Sequence, residues 1–208
     1  MVTGFPEAAL HFYDRLELEN TREYFTSHRH VYEDAVRGPI IALTDALADE
    51  FGDAKVFRPH RDVRFRVDKS PYKTHQGAFV RLSEALGWYV EISSGGVRAG
   101  AGFYRADPER LAAYRSAVAG PAGDVLAQLV REAEDAGLTL AGDTLRTAPR
   151  GHDRHHPRIA LLRHRSLTLM RDHGFAPVIH TPEVLDLVRA DWRAARPVVE
   201  WLDAAMAT

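Results

Sequence analysis

The chain has 208 residues, 45% of them hydrophobic and 27% charged, with a net charge of -2: the make-up of a globular protein long enough to bury a core without covalent staples. It holds no cysteine, which excludes disulfides, thiolate nucleophiles and cysteine-ligated zinc. The balanced charge excludes a general nucleic-acid coat, and the first twenty residues lack the basic start and apolar run of a secretory leader, so a cytoplasmic protein with no membrane partner is expected.

In chain order, Pro6 opens a helix over 6–17 with Leu10, Phe12, Tyr13 and Leu16 on its buried side. Asn20, the only asparagine, with Glu23 three positions on, predicts the cap of a second helix that carries Tyr24, Phe25, Val31, Tyr32 and Val36 inward and stops at Gly38-Pro39. A third helix is expected over 39–51, closed by Gly52.

Residues 58–81 then form a cationic island. Seven long cations (Arg58, Arg61, Arg64, Arg66, Lys69, Lys73, Arg81) face two acids, Asp62 and Asp68. The only lysines of the chain are Lys55, Lys69 and Lys73; every other long cation is arginine. Lysine differs from arginine in giving up its proton readily beside other cations, so this clustering points to a need for the amine itself. The alternation from Asp62 to Asp68 predicts a strand, with Val63, Phe65 and Val67 on the core and Arg64 and Arg66 on the other face. Ser70-Pro71 then predicts a turn that carries Lys69, Tyr72 and Lys73 at the end of the strand.

Further strands are expected at about 76–82, 87–93 and 97–104, with a hairpin turn at Ser94-Gly95-Gly96. Gly100 and Gly102 fall on one face of the last strand and let either a helix or a ligand approach closely, packing of a neighbouring element being favoured. Asp107-Pro108 starts a helix, Gly120-Pro121 breaks it, and a longer helix runs over 122–136. A short strand or hairpin at 138–151, the loop Pro149–Pro157, a helix near 158–172 and a C-terminal helix from Thr181-Pro182-Glu183, kinked or split at Pro197, complete the chain. The loop carries His152, Asp153, His155 and His156. With Arg154 and Arg158 interleaved and no helical ligand spacing, a solvated polar loop is favoured there over a metal site or an anion contact.

The run RDVRFRVDKSPYKT resembles the motif of a bacterial conserved-hypothetical family catalogued as domain of unknown function 2461. The resemblance is carried by Arg61, Asp62, Arg64, Phe65, Asp68, Lys69, Pro71, Tyr72, Lys73 and Thr74, and upstream by Asn20, Arg22, Glu23 and Phe25, with Tyr24 where that family is expected to have tryptophan. It spans roughly Phe5 to Pro157, and the family name implies no activity.

The predicted architecture is a single α+β domain over 1–208: helices over 1–52, an antiparallel meander of four or more strands over 56–105, and a mainly helical part from 107, with helices from both ends of the chain covering the sheet. The leading functional expectation is a site for a phosphorylated or other anionic small molecule. Arg61, Arg64 and Lys73 would hold the anion, Asp62 and Asp68 would orient the cations, and Thr74 and His75 would add donors. Lys69 or Tyr72 would serve as the acid, since neighbouring cations lower both pKa values. No cofactor is implied, and whether turnover accompanies binding stays open. Two alternatives stand beside it: a non-enzymatic module contacting nucleic acid or an acidic protein through the same patch, and a purely structural Arg/Asp network.

Overall fold

The computed structural model describes residues 1–62, 64 and 67–207. The fold is α+β: a six-stranded antiparallel sheet in the order β1-β2-β3-β4-β6-β5, with helices before and after it in the chain. The strands are β1 Ala54–Val56, β2 His75–Ser83, β3 Leu86–Ser93, β4 Gly96–Phe103, β5 Thr139–Ala141 and β6 Leu167–Gly174. Two compact units divide the chain. The first comprises Met1–Val80, Tyr89–Ala99 and Asp172–Arg189; the second comprises Arg81–Trp88, Gly100–Arg171 and Ala190–Thr208.

In the first unit, helix α1 (Glu7–Leu18) buries Ala9, Leu10, Phe12, Tyr13 and Leu16, the stripe expected from its periodicity. The second predicted helix is different. It comprises α2 (Arg22–Ser27), a single turn α3 (Arg29–Val31) and a π-helical segment Tyr32–Arg37, and it runs straight into α4 (Gly38–Asp45) rather than stopping at Gly38-Pro39. Proline has no amide to donate and its ring crowds the carbonyl four residues back. Widening the turn before Pro39 relieves both, and Gly38 N–H donates to Glu33 O, five residues back. The short helix α5 (Ala48–Phe51) then closes at Gly52 with φ 98°. β1 pairs with β2 at Ala54↔Val80, Lys55↔Phe79 and Val56↔Ala78.

Among the described residues of 61–68 the predicted strand does not form. Arg61, Asp62, Arg64, Val67 and Asp68 are all outside regular structure, and Val67 is fully exposed, not core-facing. The expectations for Val63, Phe65 and Arg66 lie outside the described residues. Local chemistry explains the change: Asp62 Oδ1 accepts from Arg64 N–H (3.2 Å) and Asp68 Oδ1 from Ser70 N–H (2.9 Å), so both aspartates form turns that compete with a ladder.

In the second unit, Asp107 caps α6 (Pro108–Ala119) by accepting from the amides of Glu109 and Arg110, each at 2.9 Å. Helix α7 (Ala122–Asp135) follows and ends at Gly137 with φ 94°. The helix expected over 158–172 is a single turn, α8 (Ile159–Leu162), and then strand β6. Leu167 and Leu169 are buried while Thr168 and Met170 are half-exposed, a period of two. β6 is the element that Gly100 and Gly102 admit: a Cβ at these positions would stand 2.0 Å from Leu169 O and 2.1 Å from Leu167 O. The last helix, α9 (Val184–Met206), passes through Pro197 as one element. Among the described residues no helix is long and apolar enough to cross a membrane.

Candidate functional site

The motif is a loop with a closed stem. His60 and Tyr72 form an isolated antiparallel bridge; Arg61 N–H donates to Pro71 O and Lys73 N–H to Pro59 O, each at 2.8 Å. Asn20 fixes this stem. Its Nδ2 donates to Tyr72 O and its Oδ1 accepts from Tyr72 N–H, both at 3.0 Å. The predicted capping role of Asn20 falls instead to Thr21, whose hydroxyl accepts from Tyr24 N–H at 3.1 Å. An asparagine side chain carries the same donor and acceptor as a peptide, so it completes the pairing of Tyr72 as a neighbouring strand would.

On one side of Tyr72 opens a hollow of about 640 Å³. Its floor is aromatic: Phe25, Tyr32, Phe57 and Tyr72, with Phe25 and Tyr72 stacked at 4.0 Å and nearly parallel. His60, exposed, leans on both, at 6.3 Å from Phe25 and 5.0 Å from Tyr72. Tyr32 and Phe57 are tied by buried Gln76: Tyr32 Oη donates to Gln76 Oε1 at 2.6 Å, and Gln76 Nε2 donates to Phe57 O at 2.7 Å. Burial pushes the Tyr32 phenol up to about 12, so it stays neutral.

The rim is cationic. Arg22, Arg29, Arg37 and Arg58 line it, all exposed, against one carboxylate, Glu33, which stands 3.8 Å from both Arg29 and Arg37. The π segment brings the first three into one row. Arg22 stands on α2 and Arg29 on α3, with His28 as a non-helical step between them, and both line the hollow. Arg37 lies eight further on and would be turned roughly 80° away on an unbroken α-helix, from 3.6 residues per turn. The wider turn absorbs the extra residue and returns Arg37 to the row.

Of the sequence-predicted site residues, Tyr72 alone lines this hollow. The others lie elsewhere. Arg64 makes a bidentate pair with Asp62 (Nε–Oδ1 3.0 Å, Nη2–Oδ2 2.7 Å), and these hydrogen bonds hold the Asp62 carboxyl down at about 2. Arg61 pairs with Asp68, which also takes the Ser70 hydroxyl at 2.6 Å. Lys69 is exposed on the loop and Thr74 is half-buried before β2. Lys73 turns back over the Phe57 ring, 5.2 Å from its centre, and donates to Arg58 O at 3.0 Å. Burial lowers its pKa and Arg58 lowers it further.

A second polar cluster begins at His75. Glu91 Oε2 accepts from the Tyr89 hydroxyl at 2.6 Å and lies 3.9 Å from His75 Nε2, while Arg98 Nη1 is 3.4 Å from Glu91 Oε1. Gly77 makes room for this: a Cβ there would fall 2.4 Å from Tyr89 Oη. Burial lowers the His75 pKa; Glu91 opposes this, and Lys73, Arg61 and Arg98 reinforce it. An NMR titration of the His75 ring is therefore expected to give a midpoint below about 6.5, and one at or above it would overturn this reading. With a depressed folded pKa, the unfolded chain takes the proton first. Stability from this group is complete above pH ~6.5 and is lost as pH falls through the folded midpoint.

Sequence reasoning missed Arg22, Arg29 and Arg37 as site residues. The available signal was their spacing, seven and then eight, ahead of a Gly-Pro pair. In the histidine loop, Arg158 is committed to structure: its Nε donates to Val118 O (2.7 Å) and its Nη2 to Ala119 O (3.0 Å) and Gly120 O (2.9 Å), capping α6. Among the described residues no three His, Asp or Glu side chains come together as metal ligands.

Comparison with known proteins adds the following. The sequence profile of the family described as "Conserved hypothetical protein (DUF2461)" matches residues 8–201. No curated protein matches significantly. Among solved structures, an uncharacterized protein from Methanothermobacter thermautotrophicus is similar at 11% identity and a TM-score of 0.44, over 82% of this chain and 99% of that one.

Proposed function

The chain belongs to the DUF2461 conserved hypothetical family, and we propose, on its own residues, that it binds an anionic small molecule in the arginine-rimmed hollow beside Tyr72. The observation that carries this is four guanidinium groups around one cavity with a single carboxylate. Exposed like charges so gathered repel one another, and an anion relieves that repulsion. Guanidinium groups match phosphate and carboxylate oxygens with paired donors. The motif loop contributes Tyr72 to the wall, and the Asp62–Arg64 and Asp68–Arg61 pairs shape the loop that presents it. Acid–base chemistry at Tyr72 or Lys69 is a further step of the same proposal, for which Tyr72 has the support of lining the cavity.

The test is titration with inorganic pyrophosphate. Exchanging Arg29 and Arg37 together for methionine is expected to weaken binding roughly tenfold or more, as for the loss of charge-assisted hydrogen bonds. Affinity within twofold of the original protein, or no pyrophosphate binding at all, would sink the proposal.

A further inference from the structure

We infer that the ligand of this hollow is a nucleoside phosphate, with a planar ring on the floor and the phosphates at the rim; this rests on the anion reading given above. Three observations carry it. The volume, about 640 Å³, is that of a site for a whole organic ligand, larger than an inorganic anion needs. The floor is made of rings (Phe25, Tyr32, Phe57, Tyr72), so a bare anion would leave an apolar surface uncovered. The rim cations are all arginines, which pair with phosphate in plane and also stack on rings.

The two halves of the site come from different elements. The row Arg22, Arg29 and Arg37 lies along the helical segment, while Phe57 and Tyr72 come from the end of β1 and from the loop stem. A ligand reaching both must carry charge at one end and a flat body at the other. Phe57 is the ring best suited to stacking: it is only half-buried, and Lys73 already holds a cation over it. Its backbone is held independently, by Phe57 N–H to Gly77 O at 3.0 Å and by Gln76, so a change of side chain leaves the wall in place.

The experiment compares adenosine 5'-diphosphate, inorganic pyrophosphate, adenosine and a short single-stranded oligonucleotide by calorimetric titration of the full chain. The diphosphate is expected to bind at least tenfold tighter than pyrophosphate, and adenosine weakest. Phe57→Leu should cost the diphosphate roughly fivefold or more, the loss of one stacked base, and leave pyrophosphate within twofold. Should that variant fail to fold, His60→Ala, a change at an exposed ring, is read the same way. Pyrophosphate binding as tightly as the diphosphate overturns the ligand class and spares the anion reading. Silence toward both overturns the anion reading itself. An oligonucleotide that binds tighter than the diphosphate and is lost steeply with salt overturns the small-molecule assignment in favour of nucleic acid.

Discussion

Arg171→Met is expected to lower stability by about 3 kcal/mol, the low end of the loss when one partner of a buried ion pair is removed, because Asp191 is buried but Arg171 is 30% exposed. Asp191 is fully buried, and Arg171 Nη1 lies 3.1 Å from its Oδ1, an ion pair off the hydrogen-bond axis. The same guanidinium caps α7: Nε donates to Gly137 O at 3.1 Å, and Nη2 contacts Ala136 O. One side chain thus serves a buried carboxylate and the carbonyl end of a helix, and its removal damages both. For a chain of this length the loss corresponds to a fall in Tm of roughly 6–12 °C. The double variant Arg171→Met/Asp191→Leu separates the two effects. It should recover part of the loss, because no carboxylate is then left buried after its cation has gone. A double variant no more stable than the single one would show that the helix cap dominates. A single variant within 1 kcal/mol of the original would remove the argument.

Asn20→Ala carries the second-largest expected effect, about 2 kcal/mol of stability. Two hydrogen bonds to one peptide vanish at once, and the backbone N–H and C=O of Tyr72, part-buried, lose their partner. The consequence reaches the hollow, because Tyr72 lines it and stacks on Phe25. Pyrophosphate affinity should therefore fall by several-fold although Asn20 is not among the lining residues. Asn20→Asp is the informative control. It keeps an acceptor for Tyr72 N–H but sets a carboxylate oxygen against Tyr72 O, so chemical denaturation should place it no more stable than the alanine variant. An aspartate as stable as asparagine would mean that the clamp is not what holds the stem.

Much of the fold was legible because burial imposes period. The α1 stripe, β2 to β4 and the Asp107 cap all follow from local pattern, and the pair Gly100/Gly102 announced a close neighbour before that neighbour, β6, was identified. The failures share a cause: each turned on a partner far away in sequence or on a side chain competing with the backbone. Asn20 reads as a cap until Tyr72, 52 residues on, stands beside it. The alternation from Asp62 to Asp68 reads as a strand, but its two aspartates bond their own backbone. Leu167 and Leu169 read as helix until β4 supplies an edge. The candidate site was half legible. Tyr72 and Arg58 were within the cationic island, but the other three arginines sit on a helical stretch broken at His28 and widened at Tyr32–Arg37, where an uninterrupted period of 3.6 does not hold.

The π-helical segment has one more consequence, for length variation. A relative that lacked a single residue between 32 and 37 could thread this stretch as ordinary helix at no cost to its core. Its counterparts of Arg29 and Arg37 would then be seven residues apart, within about 20° of one line on 3.6 residues per turn, so the row would persist without the wide turn. That one residue is thus a readable marker: chains that keep it need the π segment to hold Arg29 and Arg37 in line, and chains that drop it keep them in line on ordinary helix.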